Sequence, residues 1–225
     1  MKAREEILSR VRSALADTRQ SPPTAAGSGT TSGTTSGAER AVRRDYARTR
    51  DLPARLGLFV ERVEDYRATV IRAGPDGVAA AVAMGLGVAR TVVVPPGFNP
   101  AWVPADLDLD LVRDEPALSA AALDGVDAVV TSAVVGIAVT GTIVLDHTAG
   151  QGRRALTLVP DVHVCVVTAD QVVGDVPEAI GRLSTSVSAG SPLTWISGGS
   201  ATSDIELQRV EGVHGPRTLC VVLVE

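Results

Sequence analysis

Aromatic residues are nearly missing from this chain: two Phe, two Trp and two Tyr make up 3% of its 225 residues. A core must therefore be filled by Val, Ala, Leu and Ile, and a hydrophobic content of 45% is enough for one such core. Cysteine is equally scarce. Cys165 and Cys220 each sit in a Val-rich run that reads as a buried strand, where a thiol serves as a small apolar filler. Two isolated cysteines give neither a disulfide framework nor the roughly four thiolates that an iron–sulfur cluster takes. No apolar run approaches the roughly 20 residues of a membrane span. The start Met1-Lys2-Ala3-Arg4-Glu5-Glu6 leads into no apolar signal region, so a soluble cytoplasmic protein is expected. His147, His163 and His214 stand too far apart for a local metal motif, and no metal is expected. A phosphate-binding P-loop, a dinucleotide glycine fingerprint and a Ser-His-Asp order are all missing.

What is present is unevenly distributed. Residues 1–50 carry ten basic and five acidic side chains, a net +5, so with −5 overall the remainder stands at −10. A basic arm of this kind docks on an acidic partner or folds back on its own domain. Nucleic acid is not the expected partner, because the arm offers one aromatic, Tyr46, to stack a base, and no binding motif. Within the arm, Ile7, Leu8, Val11, Ala14 and Leu15 recur at helical spacing and predict an amphipathic helix in residues 1–20. Residues 21–38 predict a flexible linker: 24–38 hold only Thr, Ala, Gly and Ser, a composition that cannot bury enough to order itself. The helix then packs on a partner or on a second copy in a homo-oligomer, or else on its own domain; both readings stand.

Residues 39–225 predict one α/β domain. Helices are expected over 39–50 and 53–66, the second presenting Leu56, Phe59, Val60 and Val63 on one face. Strands over 68–71, 91–94, 107–112, 127–130, 141–146, 163–168, 193–197 and 218–224 alternate with helices over 75–85, 116–123, 176–183 and 203–211. Strands apolar on both faces, separated by helices, predict a three-layer fold with a largely parallel, helix-covered sheet.

The stretch Thr194-Trp195-Ile196-Ser197-Gly198-Gly199-Ser200-Ala201-Thr202-Ser203-Asp204-Ile205-Glu206 reads as strand, glycine loop and helix. Ser203 and Glu206 have the capping-box spacing, which places a helix start near Ser203. The hydroxyls of Ser197, Ser200, Thr202 and Ser203, the small Gly198 and Gly199, and a helix dipole suit a small anion, a carboxylate or phosphate. The alternative is an ordinary capped helix after an ordinary turn. Asp204 is free to meet a ligand hydroxyl or a cation, whereas the capping box already employs Glu206. His214, in the turn after the helix, is either a proton carrier at the same rim or a solvated histidine. His163 opens an apolar strand and reads as a satisfied core histidine. Thr131-Ser132 and Thr140-Gly141-Thr142 are further hydroxyl-rich turns, which with Ser197 to Ser203 form a neutral pocket at the carboxyl ends of the strands if they converge.

These residues, with Gly136-Ile137-Ala138-Val139-Thr140-Gly141-Thr142, Val159-Pro160-Asp161-Val162-His163 and Gly212-Val213-His214-Gly215-Pro216, resemble the lactate utilization protein C family of LUD-type proteins, in register from about Ala41 to the end. That family is similar to a wider α/β group that includes sugar-phosphate isomerases and coenzyme A transferases. The resemblance implies an accessory subunit of a system that oxidises L-lactate to pyruvate, with iron–sulfur clusters carried by separate partner subunits and no cofactor on this chain. A second reading is a free-standing enzyme or binder of a phosphorylated or carboxylated ligand, related to isomerases or acyl-transfer enzymes. One residue departs from the family: Val139 stands where the Ala-Glu-Thr-Gly-Thr turn usually carries glutamate. Coenzyme A transferases use a glutamate as nucleophile, and valine cannot act as acid, base or nucleophile, so acyl-transfer chemistry is not expected.

Overall fold

The computed structural model describes residues 6, 8–10, 13, 52–105, 107–202, 210–211 and 215–225. The chain divides into Met1–Arg44 and Asp45–Glu225. In the first unit residues 6, 8–10 and 13 are helical, with the Arg10 guanidinium donating to Glu6 one turn earlier at 2.7 Å. The expected 21–38 linker and 39–50 helix lie outside the described residues.

In the second unit, a parallel six-stranded sheet has the order β1-β12-β7-β4-β2-β3. These are β1 Thr69–Ala73, β2 Thr91–Val94, β3 Asp110–Arg113, β4 Ala128–Ser132, β7 Val162–Thr168 and β12 Thr218–Val224. Runs such as Val164-Cys165-Val166-Val167 make central strands because β-branched side chains pack well on both faces of a covered sheet. Alternate residues serve different cores. Val164, Val166, Cys220 and Val222 face helix α2, Val78–Leu86, through its Val78, Ala81, Val82 and Leu86. Cys165, Val167, Leu219, Val221 and Leu223 face Phe59 and Val63 of helix α1, Arg55–Asp65. Phe59 is fully buried, so truncation to alanine costs about 3–5 kcal/mol.

The α1 side is shared with a second sheet, ordered β8-β5-β6-β9, in which β5 (Val135–Ile137) and β9 (Thr194–Ile196) pair antiparallel with β6 (Thr142–Leu145), and β8 (Val172–Val173) runs parallel to β5. The strands expected over 141–146 and 193–197 are thus present, but they form this smaller layer rather than extending the parallel sheet. Its outer face packs Val135, Ile137 and Val144 on Ala179 and Leu183, at helix α4, Val176–Arg182. Helix α3 covers only Ala120–Asp124, capped by the Ser119 hydroxyl, and α5 (Ser184–Ser188) continues the fold from α4. No helix of the described residues is long and apolar enough to cross a membrane.

One expectation fails at its end. The 203–211 segment was expected to be helical throughout, but Val210–Glu211 forms β11, paired antiparallel with β10, Ala201–Thr202. Thr202 and Val210 are β-branched and suit a ribbon. Residues 203–209 lie outside the described residues.

Candidate functional site

In an open parallel sheet a ligand usually lies at the carboxyl ends of the strands, where successive connections diverge. Here that place is between β2 and β4, since the chain leaves β2 for β3 and then returns past it to β4. The protein fills the place with its own segment 146–152. The Gly150 amide donates to the Pro96 carbonyl at 2.7 Å, and the Ser132 amide donates to the Gly150 carbonyl at 2.9 Å. Ser132 therefore belongs to this packing.

The segment is cross-linked within itself and to its neighbours. The Gln151 side-chain oxygen accepts from the amides of Asp146 and His147 at 2.7 and 3.2 Å. His147 Nδ1 donates to the Gly152 carbonyl, and Nε2 shares a hydrogen bond with the Thr194 hydroxyl, each at 2.8 Å. The Asp146 carboxylate accepts from the hydroxyls of Ser186 and Thr148 at 2.6 and 2.7 Å. Burial acts to raise the Asp146 pKa, but these hydroxyls together with the Thr148 amide and the Gln151 side chain outweigh it and leave the group below its ordinary value. Just beyond, Arg153 grips Asp114 bidentately at 2.7 and 3.0 Å and also donates to the Leu118 carbonyl, so its charge is committed to holding the 114–118 loop.

At the opposite end of the sheet lies a cleft of about 250 Å³. Its walls are the amino ends of β7 and β12 at His163 and Leu219, the turn Arg154–Thr157 before β7, Trp195 and Ile196 of β9, and the loop Ser197–Ser200 facing Gly215 and Pro216. The predicted Ser197, Gly198, Gly199 and Ser200 thus do line a cavity together, but at the amino end of the strands rather than the carboxyl end.

Close packing explains the two glycines. Gly198 has φ of 90°, and a Cβ there would lie 2.7 Å from the Tyr66 carbonyl. A Cβ on Gly199 would lie 2.6 Å from the Arg217 carbonyl. The loop is therefore clamped between α1 and the approach to β12. The Ser200 amide is already engaged, donating to the Pro216 carbonyl at 2.8 Å.

The cleft's fixed charge is Arg154, which sequence reasoning passed over. Its Nη1 donates to the Thr157 hydroxyl and carbonyl at 2.8 and 3.1 Å, which sets the guanidinium against the cleft wall. Burial pulls its pKa below the usual guanidinium value, yet a guanidinium keeps its proton in proteins. Beside it, His163 is 1% exposed and shares a 2.8 Å hydrogen bond with the Thr131 hydroxyl. Burial, and then the Arg154 charge, push His163 down to about 3, so the ring is neutral at physiological pH and carries no proton cycle near pH 7. The core reading of His163 is correct as to burial, but the ring also forms the cleft's floor.

Thr140, Gly141 and Thr142 approach the cleft from behind. The Thr142 hydroxyl lies 2.7 Å from that of Ser197 and 2.8 Å from that of Thr140. Gly141 lets the turn press on the backbone of Arg62, where a Cβ would come within 2.5 Å. Of the three hydroxyl-rich turns, then, two meet at Ser197, and the third contributes Thr131 through His163. Thr202 stands in β10, while Ser203, Asp204, Glu206 and His214 lie outside the described residues. Chemically, the arrangement offers a guanidinium, hydroxyls and a neutral imidazole, a set suited to holding a small anion. No group of three or more His, Cys, Asp and Glu side chains gathers for a metal among the described residues.

The profile of the LUD domain matches residues 110–224, which span both the 146–152 segment and the cleft. A lactate utilization protein C of Deinococcus radiodurans is 53% identical over 166 residues, covering 74% of this chain and 77% of its own length. Proteins of the same name from Halalkalibacterium halodurans and Bacillus pumilus are 32% and 36% identical over 100 and 93 residues. These two matches cover 43% and 40% of this chain, and 43% and 38% of the relatives. Among solved structures, the crystal structure of a DUF162 family protein from Deinococcus radiodurans superimposes with a TM-score of 0.68 at 44% identity, covering 80% of this chain and 99% of the other. With just over half of the chain inside the domain profile and 53% identity to a relative across 74% of its length, the chain belongs to the LUD domain family.

Proposed function

We propose that this chain serves lactate utilization as a carboxylate-binding subunit. The Arg154 cleft holds L-lactate or pyruvate, and electron transfer is left to iron–sulfur clusters on separate partner subunits. The observation that carries the reading is Arg154 set against the cleft wall by Thr157, with the exposed Ser197 lining the same cavity. A carboxylate is met by a guanidinium and a hydroxyl, the pairing that gives short charge-assisted hydrogen bonds. The name carried by the relative at 53% identity, lactate utilization protein C, supplies the substrate class.

The cysteines support placing clusters elsewhere. Cys165 and Cys220 point to opposite faces of the parallel sheet, and burial pushes them up to about 12 and about 11, so neither is an available thiolate. Val139 supports keeping acyl transfer out of the mechanism, because it borders a separate cleft beside Arg62, Asp65 and Tyr66 and brings no nucleophile to it.

Calorimetric titration of L-lactate, pyruvate and inorganic phosphate into the wild type and Arg154→Gln tests the reading. Saturable carboxylate binding that weakens about 10- to 100-fold in Arg154→Gln is the expected result. Equal heats in both proteins, or binding of phosphate alone, would sink it. Co-purification with cysteine-rich iron–sulfur proteins from a lactate-grown host tests the partner half separately.

A further inference from the structure

We infer that Thr140 and Thr142 never touch the ligand but act through Ser197, as a hydroxyl chain that turns the Ser197 O–H toward a bound carboxylate; this rests on the reading of the cleft as a carboxylate site. Three hydroxyls stand in a row. Thr142 Oγ1 is 2.8 Å from Thr140 Oγ1 and 2.7 Å from Ser197 Oγ, with the Thr140 carbonyl a poorer acceptor at 3.4 Å. Ser197 is exposed and lines the Arg154 cleft, Thr142 is only 5% exposed, and Thr140 lines the separate cleft beside Arg62 and Asp65. The chain therefore runs from one cleft to another through a buried link.

Proton counting limits what such a row can do. Each hydroxyl has one proton, and the middle one can give its proton to only one neighbour. In one alignment Thr140 donates to Thr142, Thr142 donates to Ser197, and Ser197 is left with an O–H for the cleft. In the reverse alignment Ser197 donates inward, and the outward O–H is on Thr140 at the other cleft. A third arrangement, with both ends donating to Thr142, relies on the 3.4 Å carbonyl contact and is the weakest of the three. A carboxylate only accepts, so it selects the first alignment, and each bond in the row polarises the next. Since water is kept from Thr142 by its burial, the preference is not averaged out by solvent.

This assigns two positioning residues and a rule for their energetics: their effect on binding must vanish when Ser197 has no hydroxyl. The test is a double-mutant cycle read by titration of L-lactate and pyruvate. Ser197→Ala and Thr142→Val should each weaken binding about 3- to 10-fold, and the double variant should bind no more weakly than Ser197→Ala alone. Thr142→Ser, which restores the hydroxyl, should restore the affinity. Thr140→Val, at a half-buried position where folding is less at risk, should show a smaller loss with the same disappearance in the Ser197→Ala background. Losses that multiply, or a Thr142→Val defect that serine does not repair, would overturn the relay while leaving the cleft reading intact. A wild-type protein that binds neither carboxylate would overturn both.

Discussion

The two ends of the parallel sheet have been put to opposite uses. At the carboxyl end, between β2 and β4, the segment 146–152 is folded into the crevice, and its polar groups are matched by one another and by neighbouring elements: Asp146 with Ser186 and Thr148, His147 with Thr194 and Gly152, Gln151 with two amides. At the amino end, Arg154, Ser197 and the floor of His163 line an open cleft. Adjacent arginines show the contrast. Arg153 is engaged bidentately by Asp114, whose side chain is 6% exposed, and it is structural; Arg154, one residue on, presents its charge to a cavity. Polar groups alone therefore do not mark a site. What marks it is polar groups such as Arg154 and Ser197 that line a cavity as well as bonding to Thr157 and Thr142.

Perturbing the filled end should cost stability and leave affinity alone. Gly150 has φ of 79°, and a Cβ there would stand 2.8 Å from the Ser132 hydroxyl. Gly150→Val should destabilise the fold by about 2–4 kcal/mol, from left-handed backbone strain plus overpacking, as measured by urea unfolding. The folded fraction should still bind carboxylate as the wild type does. A loss of affinity larger than the loss of folded protein would mean that the two ends are coupled and the contrast is false.

The next effect uses pH. The folded pKa of His163, about 3, lies below its ordinary value of 6.5, so between those values the unfolded chain holds a proton that the folded chain rejects. Stability is therefore complete above about pH 6.5 and falls as pH is lowered, by up to about 1.4 kcal/mol per unit, or about 2 kcal/mol by pH 5. Asp114, Asp127 and Asp146 have lowered pKa values and add their own losses mainly below their ordinary 3.8, so between about pH 6.5 and 4 the difference between the wild type and a variant without the ring reports His163. Thermal melts of the wild type and His163→Gln across that window check it; parallel curves would show that the ring is not held neutral.

How far this division could be read in advance follows from the kind of interaction involved. The valine runs of β2, β4, β7 and β12 announce their strands because burial on both faces leaves a local signature, and the Phe59/Val63 face of α1 does likewise at helical spacing. The small sheet was harder. β5 and β8 are three and two residues long, too short to show alternation, and whether 142–145 joins the large sheet or starts another depends on pairing rather than on local pattern. The same limit governs the site. The Ser197-Gly198-Gly199-Ser200 loop stood out because small residues cluster in sequence. Arg154 did not, because only the tertiary fold shows that Asp114 satisfies Arg153 and that Thr157 directs Arg154. The two adjacent arginines in an apolar stretch were the only available hint.

The smallest expected effect concerns that direction. Thr157 is 2% exposed, and its hydroxyl accepts from Arg154 Nη1 at 2.8 Å while the Thr157 carbonyl gives the same nitrogen a second, longer acceptor at 3.1 Å. Thr157→Val keeps the volume and removes the first bond, so the guanidinium is loosened but still tethered. One net hydrogen bond is worth about 0.5–1.5 kcal/mol, and the affinity for L-lactate or pyruvate should accordingly fall about 2- to 10-fold, less than in Arg154→Gln. Because valine also leaves the backbone carbonyl in place, the loss should appear as faster dissociation in stopped-flow measurements, with association little changed. A Thr157→Val protein that binds as tightly as the wild type would show that the carbonyl alone aims Arg154, and that its orientation is a property of the Arg154–Thr157 turn rather than of the threonine side chain.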